Sequence, residues 1–416
     1  MKLSNAKRRK RIVVKYGGAS LADHERMLRA AKAVAEEVAK GTHIAVVVSA
    51  MGKTTDFLLH AAKNASSGKV ENEELDDILA MGERTSIRIF TAALRAKGVE
   101  SRYFDPLDPD WPIITDDNFS NANPNEKECM ERIQRDMLPL VQKGVTPVIA
   151  GFVGRTLDGE ITTIGRGGSD ATAFILAKAL EADDVVLVTD AEGIMSADPK
   201  VIENSERVRE IDVNTLVGLA DSGTKFIHRK ALRYKDPAIN ARVINHARGD
   251  LNTMGTLIPG GLSTELDVVV ASQSPATSIT VVGCRVSEKP RVIQELTETV
   301  KTYTSLLGLS VDRNSLILYA AEEGDVDSLL KEIHEAILRH RETIAMSVRK
   351  QLAFLKVNGV GLEETPGIIG KISETLRLNA INIFGILTIT SSILLFVDWK
   401  ERETALELIK SSLRGD

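Results

Sequence analysis

The segment ITTIGRGGSD, residues 161–170, places an arginine among three glycines and ends in a serine and an aspartate. The residues that follow, ATAFILAKALEA, have the pattern of a helix, so Arg166 stands in a turn just before a helix N-terminus. A guanidinium can bind a carboxylate through two parallel hydrogen bonds, and glycines beside it let a ligand approach closely. The segment therefore predicts a binding site for a small anionic group.

Three further glycine-bearing turns follow apolar segments: KYGGAS (15–20), SAMGKTTD (49–56) and VTDAEGIMSADP (188–199). In an open α/β sheet, ligands bind beyond the carboxyl ends of the strands. Glycines there let backbone N–H groups approach a phosphate, and the next helix adds partial positive charge at its N-terminus. Because two of the four turns carry Lys15 and Arg166, the set favours an anion-binding edge over simple chain reversals.

The segment VVVSAMGKTT permits another interpretation, a P-loop whose lysine is Lys53. A P-loop requires Gly-x-x-x-x-Gly-Lys-Ser/Thr. Val47 stands at the first glycine position, inside a predicted strand, and a valine cannot form the tight turn that wraps a phosphate. The P-loop is the less favoured alternative.

The elements that must position these turns alternate along the first 260 residues. Strands are predicted at 12–18, 43–50, 146–154 and 184–190, and helices at 23–39, 54–66, 73–97, 125–142 and 169–181. Strands that are apolar along their whole length and alternate with helices indicate a mostly parallel sheet sandwiched by helices. We assign this α/β fold to a domain spanning residues 1–262.

The pattern changes beyond IPGGLSTELD, residues 258–267. From there the sequence pattern twice predicts the order strand, helix, strand, strand, helix. Such a repeat is typical of ferredoxin-like α+β units. We predict two small modules, at residues 270–345 and 346–416.

Composition narrows the class of protein. A chain of 416 residues with 43% hydrophobic composition is long enough for two or three domains. Its net charge of −5 argues against nucleic acid as a partner, and the basic run at residues 7–11 is interpreted as a solvated terminus. Cys129 and Cys284 form no zinc or disulfide pattern. Without a signal peptide or an apolar run of membrane length, a soluble cytoplasmic protein is expected.

These motifs resemble, in content and order, those of the aspartate kinases of the amino-acid kinase superfamily. KYGGASLAD is similar to the family's KFGGTSVAD, and GTKFIHRKA (223–231) is similar to its GAKVLHPRA. MGERTS (81–86), ITDDNFSNANP, FVGRTLDGEITTIGRGGSD and TDAEGIMSADP also match, so the resemblance covers nearly all of the chain. The two C-terminal modules resemble ACT domains, the family's regulatory units. In the family the second module is inserted into the first, which implies that the end of the chain completes the first module's sheet.

The resemblance implies a reaction. The γ-phosphoryl group of ATP passes to the side-chain carboxylate of L-aspartate and gives 4-phospho-L-aspartate, a first step towards lysine, threonine and methionine. An aspartate carboxylate is already ionised at neutral pH, so positioning and charge neutralisation are needed rather than a general base. Mg²⁺ is expected on the ATP phosphates, with no protein ligand assigned. The alternatives are a glutamate-type kinase and an ACT-bearing amino-acid sensor without catalysis.

The resemblance also implies roles for individual residues. Lys15 stabilises the transferring phosphoryl group and Asp170 orients the cations. The implied catalytic residues are Lys15, Asp170 and Lys225. The implied aspartate-binding residues are Ser49, Thr55, Glu83, Arg166 and Ser169, with Arg166 on the α-carboxylate and Glu83 on the ammonium. The implied nucleotide-binding residues are Lys15, Gly17, Gly18, Thr189, Asp190, Met195, Lys200, Lys225 and Phe226. Met195 and Arg229 depart from the family pattern, which often has an aromatic residue and a proline there.

The C-terminal modules imply regulation and assembly. An effector site, for an amino acid that the sequence does not identify, is placed at Pro366, Gly367, Ile368 and Asn382. The apolar stripe Ile368, Ile369, Ile372 and Leu376 exceeds what one small module is expected to bury. We therefore predict a homodimer, or a dimer of dimers, formed partly through residues 270–416. The alternative is that both modules serve dimerisation alone.

Overall fold

The computed structural model describes residues 8–198, 201–220, 227–262, 267–359, 362, 366–389 and 392–414. The chain divides into two compact units, Met1–Leu262 and Ser263–Asp416. Three predicted site residues, Lys200, Lys225 and Phe226, lie outside the described residues. Within the described ranges, no helix is both long and apolar enough to cross a lipid bilayer.

The first unit is built on a seven-stranded sheet with the order β3-β4-β2-β1-β7-β8-β9. All neighbouring strands are parallel except β8 and β9. A two-stranded hairpin, β5 and β6, stands beside it. The strands are β1 (Arg11–Tyr16), β2 (His43–Val48), β3 (Ser101–Phe104), β4 (Thr146–Ala150), β5 (Val153–Arg155), β6 (Ile161–Thr163), β7 (Asp184–Thr189), β8 (Asn240–Asn245) and β9 (Thr256–Ile258).

Helices cover this sheet. They are α1 (His24–Ala39), α2 (Thr54–Ala65), α3 (Asn72–Ala96), α4 (Glu126–Arg132), α5 (Leu138–Gln142), α6 (Gly168–Ala179), α7 (Val213–Ala220) and α8 (Arg229–Leu232). Strands β1, β2 and β7 are buried along nearly their whole length, and one hydrophobic core runs through the unit. The predicted α/β fold, a mostly parallel sheet sandwiched by helices, is confirmed.

Two predicted elements of the first unit are interrupted. The predicted helix 125–142 contains a π-helical turn, Ile133–Met137, just before Pro139, which cannot donate the usual backbone hydrogen bond. The predicted strand 146–154 breaks at Gly151 and Phe152. A Cβ on Gly151 would lie 2.7 Å from the Cβ of Ser169, and Phe152 has a left-handed φ of 67°. The chain therefore turns sharply there to pass the start of α6.

The second unit contains one antiparallel sheet with the order β12-β13-β11-β14-β16-β15, and β10 also pairs with β14. Its strands are β10 (Asp267–Val270), β11 (Ala276–Gly283), β12 (Leu306–Asp312), β13 (Ser315–Ala321), β14 (Thr343–Asn358), β15 (Gly385–Ile389) and β16 (Ser392–Asp398). Its helices are α9 (Pro290–Tyr303), α10 (Val326–Arg339), α11 (Ile368–Leu378) and α12 (Arg402–Arg414).

Strand β14 is shared by two ferredoxin-like modules. Its first half pairs with β11, and its second half, from Leu352 on, pairs with β16 and β10. The first module is therefore complete in itself, and the second takes its fourth strand from β10, which precedes the first module in the chain. The expectation that the end of the chain completes the first module's sheet is wrong, because the exchanged strand is β10.

Candidate active site

The three predicted turns at the ends of β1, β2 and β7 lie against one another. The N–H of Gly17 donates to the carbonyl of Val188 at 3.1 Å, and the N–H of Ser49 donates to the carbonyl of Tyr16 at 3.1 Å. The N–H of Gly52 donates to the carbonyl of Gly18 at 3.0 Å. These bonds fix the three turns as one surface at the carboxyl edge of the sheet, where ligands bind in open α/β folds.

A lysine–aspartate ion pair lies in this surface. The Nζ of Lys15, near the end of β1, is 2.7 Å from the Oδ1 of Asp170 in the first turn of α6. The two side chains are only 15% and 12% exposed. The carboxylate of Asp170 lies at the positive end of the α6 dipole and holds the ammonium of Lys15 in place. This pair brings together two of the predicted catalytic residues.

Close packing requires glycine at position 18, beside this pair, because a Cβ there would lie 2.8 Å from the carbonyl oxygen of Ala50. A Cβ on Gly17 would make only ordinary contact with the Nζ of Lys15, at 3.9 Å. The N–H of Gly17 donates to the carbonyl of Val188, so it is not a free donor for a phosphate.

Two serines connect β2 with α6. The hydroxyl groups of Ser49 and Ser169 are 3.0 Å apart and hydrogen-bonded. Gly151 lies beneath them, and a side chain there would collide with Ser169. Thr55 lies in the first turn of α2 and is half-buried. The predicted substrate residues Ser49 and Ser169 are thus brought together.

Glu83 is the most perturbed acid of the site. It lies on α3, is 3% exposed, and accepts a hydrogen bond from the N–H of Ala50 at 3.0 Å. Its other carboxylate oxygen, Oε2, is buried and has no partner among the described residues. Burial raises the pKa of Glu83 from 4.5 to about 7. A buried carboxylate with one unpaired oxygen is well suited to accept a donor from a ligand, in particular a cationic one.

Arg166 is exposed in its turn, and within the described part of the chain it has no hydrogen bond or ion pair. The turn is shaped by Gly165 and Gly167, with left-handed φ values of 81° and 78°. A Cβ on Gly167 would lie 2.5 Å from the Cβ of His228, so only glycine fits there. The guanidinium is therefore available to an external anion.

Three further predicted nucleotide-binding residues in the described ranges, Thr189, Asp190 and Met195, lie at the end of β7 and in the segment that follows it. The hydroxyl of Thr189 donates to the Oδ1 of Asp190 at 3.1 Å, and the side-chain amide of Asn245 donates to the carbonyl of Asp190 at 3.0 Å. Met195 is half-buried and forms an isolated bridge with Arg207.

The P-loop alternative is wrong. Val47 is fully buried inside β2, so no phosphate-wrapping turn begins there, and Lys53 is exposed just before α2.

Within the described ranges, no group of three or more His, Cys, Asp or Glu side chains could hold a metal ion. Asp170, the acid nearest to Lys15, is engaged in its ion pair.

Two charged residues beside the site were not predicted from the sequence. Asp76 is fully buried on α3, and Lys230 lies on α8. Both hold the 118–123 loop and the end of β6, which flank the Arg166 turn. A signal for Asp76 was present, because it lies seven residues before Glu83 and therefore on the same face of α3.

A groove of about 480 Å³ adjoins the site between α2 and α3. Its lining includes Leu59, Lys63, Leu79, Phe152 and Thr163. Leu79 lies one helical turn before Glu83, which does not itself line the groove.

Comparison with known proteins agrees with this geometry. Residues 10–245 match the sequence profile described as the amino acid kinase family. The chain is 31% identical over 412 residues to the aspartokinase of Geobacillus stearothermophilus, and the match covers 95% of each chain.

Solved structures show the same fold. The crystal structure of aspartate kinase from Synechocystis matches with a TM-score of 0.78 and 24% identity, covering 97% of this chain and 69% of that one. Aspartokinase III of E. coli in complex with aspartate and ADP matches with a TM-score of 0.55 and 23% identity, covering 97% of this chain and 100% of that one.

Proposed function

The chain belongs to the amino acid kinase family, among its aspartokinases, and we propose that it transfers the γ-phosphoryl group of ATP to the side-chain carboxylate of L-aspartate. The observation that carries this proposal is the presence of a buried Glu83 with one unbonded carboxylate oxygen and of an exposed Arg166 that has no partner within the described residues. A carboxylate for an ammonium and a guanidinium for a carboxylate together recognise an α-amino acid. The hydrogen bond from Ala50 to Glu83 and the one between Ser49 and Ser169 connect α3 with the end of β2 and with the start of α6, three residues after Arg166.

The chemistry needs little from the protein beyond placement and charge. An oxygen of the substrate's side-chain carboxylate forms a bond to the γ-phosphorus, and the bond from that phosphorus to the β–γ bridging oxygen breaks, which releases ADP. Lys15, fixed by Asp170, places a cation where negative charge develops on the transferring group. Ser49, Thr55 and Ser169 donate to or accept from the bound amino acid.

The nucleotide is proposed to lie along the ends of β1 and β7. Gly17 and Gly18 give it room, while Thr189, Asp190 and Met195 line it from β7 onwards. Lys200, Lys225 and Phe226 are assigned to it by resemblance. Magnesium bound to the phosphates would neutralise part of their charge.

An assay with hydroxylamine tests the proposal directly, because hydroxylamine traps an acyl phosphate as a hydroxamate. The protein is incubated with ATP, magnesium and single amino acids. Hydroxamate is expected with L-aspartate and not with L-glutamate or acetylglutamate. Product with glutamate alone would favour the glutamate-type alternative. Binding of amino acids without any product would favour a sensor.

The raised pKa of Glu83 predicts how amino-acid binding depends on pH. A protonated Glu83 cannot pair with an ammonium, so KM for aspartate should rise towards tenfold per pH unit below about 7. Glu83→Gln should raise KM strongly and remove this dependence. Steady-state kinetics between pH 5.5 and 8.5 measure it. The matched control is Glu37→Gln, a buried acid on α1 whose pKa is lowered by its hydrogen-bond partners.

The same shift affects stability. Since the folded pKa of Glu83 exceeds the unfolded one, its contribution to the free energy of unfolding is favourable below pH 4.5 and is lost as pH rises through about 7. Glu83→Gln should therefore stabilise the unliganded protein at pH 8, by up to about 3 kcal/mol. A variant that is equally stable relative to wild type at pH 5 and pH 8 would contradict the assigned pKa.

The C-terminal modules are proposed to bind an amino-acid effector near the start of α11. Gly367 has a left-handed φ of 86° and precedes the helix, Ile368 is buried, and Pro366 and Asn382 are exposed. Residues 363–365, which directly precede these, lie outside the described ranges. An effector would act by favouring one arrangement of the modules over another.

Most of the apolar side chains on which the dimer prediction rested are already buried within the second unit. Ile368, Ile372 and Leu376 are buried in the second module's own core, and of the stripe only Ile369 is substantially exposed, at 43%. That argument for assembly is therefore wrong. A homodimer is still proposed, supported by the outermost strands of the described sheet, β12 and β15. Their exposed apolar side chains are Leu309, Val311, Ile386 and Ile389.

Truncation after residue 262 tests the roles of the second unit. The hydrophobic core of the first unit is formed by its own residues, so the truncated protein should fold. It is expected to be monomeric in light scattering and insensitive to amino-acid effectors. A truncated protein that stays dimeric would contradict assembly through the second unit. A full-length protein that responds to no amino acid would contradict regulation.

A further inference from the structure

We infer that Asp76 and Lys230 are positioning residues that hold the Arg166 turn in the arrangement that binds the amino-acid carboxylate. Neither residue is assigned a role by the proposed function, although the inference rests on that function for the role of Arg166. The two residues carry opposite charges and hydrogen-bond to the same two segments. These segments are the 118–123 loop and the end of β6 with the turn that follows it.

Asp76 joins the loop to the strand. Its Oδ2 accepts from the backbone N–H groups of Ser120 and Thr163, each at 2.7 Å. Its Oδ1 accepts from the hydroxyl of Thr163 at 2.6 Å and from that of Ser120 at 3.3 Å. The carboxylate is fully buried, and every one of these donors is neutral. A buried charge is tolerated only when its hydrogen bonds are made, so Asp76 strongly favours the one arrangement that supplies four donors.

Lys230 joins the same segments from the other side. Its ammonium donates to the carbonyls of Asn121, Ala122 and Ile164, at 3.0, 2.9 and 2.7 Å, and to the side-chain oxygen of Asn121 at 2.8 Å. Ile164 is only two residues before Arg166. Three carbonyls converging on one cation form a site that no neutral side chain of this length can replace.

The loop held in this way touches the turn itself. A Cβ on Gly165 would lie 3.0 Å from the side-chain oxygen of Asn121, and the N–H of Ala122 donates to the carbonyl of Thr163 at 2.9 Å. Ser120 also adopts a left-handed φ of 68°, which is unfavourable for a residue with a side chain. The bonds from Asp76 keep this strained residue in place, and the loop then limits where the Arg166 turn can lie.

Helix α3 relates this arrangement to the rest of the site. Asp76 and Glu83 are seven residues apart on the same face, a rise of about 10 Å along the helix. Helix α3 thus carries both Glu83, the proposed partner of the ligand ammonium, and Asp76, which anchors the turn that binds the ligand carboxylate. Loss of Asp76 should leave Glu83 in place while freeing the turn.

The kinetic test compares Asp76→Ala and Lys230→Met with wild type in the full-length protein. A freed turn should raise KM for aspartate at least tenfold and change KM for ATP less than twofold. Asp76→Asn should restore most of the affinity, because its amide oxygen accepts both N–H groups and the hydroxyls can rotate to accept from its NH₂ group. A purely structural role predicts a loss of active protein, seen as lower kcat with both KM values unchanged, and that result would overturn the inference.

The matched control is Asp105→Ala. Asp105 is 2% exposed and pairs with Arg84 and Arg88, so its loss should destabilise the same domain without raising KM for aspartate. Should Asp76→Ala fail to fold, Thr163→Val removes one hydroxyl donor and keeps the side-chain shape. It should raise KM for aspartate by a smaller factor, and an unchanged KM would overturn the inference.

Hydrogen exchange separates this inference from the proposed function, because it needs no activity. Asp76→Ala should speed exchange at Ser120 and Thr163 and in peptides covering 118–124 and 161–167, with β1 and β2 unchanged. Unchanged exchange would refute the positioning role even if the protein phosphorylates aspartate. Faster exchange in a protein whose wild type makes no acyl phosphate would leave the anchoring intact and refute the function instead.

Discussion

Replacing Lys15 with alanine is expected to lower kcat by about 10²–10³-fold, with a much smaller change in KM for either substrate. The negative charge on the transferring phosphoryl group and its leaving oxygen grows towards the transition state, and the ammonium of Lys15 is held at the strand end by Asp170 at 2.7 Å. A cation placed in advance stabilises that charge without reorganising. The measurement is ADP release at saturating ATP, magnesium and aspartate.

The control for this prediction is Lys53→Ala, since Lys53 is exposed and lies in the neighbouring turn. It should retain nearly full activity. Lys15→Ala also leaves Asp170, with a side chain only 12% exposed, without its cation. The double variant Lys15→Ala/Asp170→Ala removes that unpaired charge, and it should regain thermal stability but not activity. An active Lys15→Ala protein with an inactive Lys53→Ala protein would refute the assignment of the catalytic lysine.

The central sheet and its turns could be predicted because their sequence signals are local. Strands β1, β2 and β7 are covered on both faces, so they are apolar throughout, and each ends in a turn rich in glycine. Burial on both faces requires a continuous apolar segment, and close approach of two backbone segments, as at Gly18, requires glycine. Both signals can be recognised within a few residues of sequence. The resemblance implied that Asp170 orients the cations, and the structure pairs it with Lys15 at the same sheet edge.

The exchanged strand β10 could not be predicted in the same way. It is four residues long, and its partner, the second half of β14, begins about 80 residues later in the chain. The first half of β14 is largely exposed and mixes apolar with charged residues, so its pattern does not mark a core strand. Packing in the folded protein decides which distant segments pair as strands. The hydrophobic periodicity of the sequence does not identify these partners.

Asp76 was missed for a different physical reason. An acidic residue on an amphipathic helix is usually solvated, and in the segment ELDDIL only the seven-residue spacing from Glu83 distinguishes Asp76 from its neighbour Asp77. Asp76 is fully buried and Asp77 is exposed. The difference lies in the donors of Ser120 and Thr163, which come from a loop and from the end of β6, both distant in the chain.

Replacing Arg166 with alanine is expected to raise KM for aspartate about 30- to 150-fold, which corresponds to about 2–3 kcal/mol of lost charge-assisted hydrogen bonding. In the unliganded protein the guanidinium is exposed and has no partner within the described residues, so its removal should cost little stability. Binding of an ATP analogue should be nearly unchanged. Calorimetric titration with the analogue and with aspartate measures both effects on one sample.

Two further variants make this prediction specific. Arg135→Ala removes another exposed arginine, which within the described residues pairs with its neighbour Asp136, and it should leave both affinities unchanged. Arg166→Lys keeps the charge but not the bidentate geometry, so it should recover only part of the affinity. Because Arg166 and Glu83 bind different groups of one ligand, their combined loss should be roughly additive in binding free energy. An Arg166→Ala protein that loses ATP-analogue and aspartate binding equally would show that Arg166 serves the phosphates, and the amino-acid site would have to be placed elsewhere.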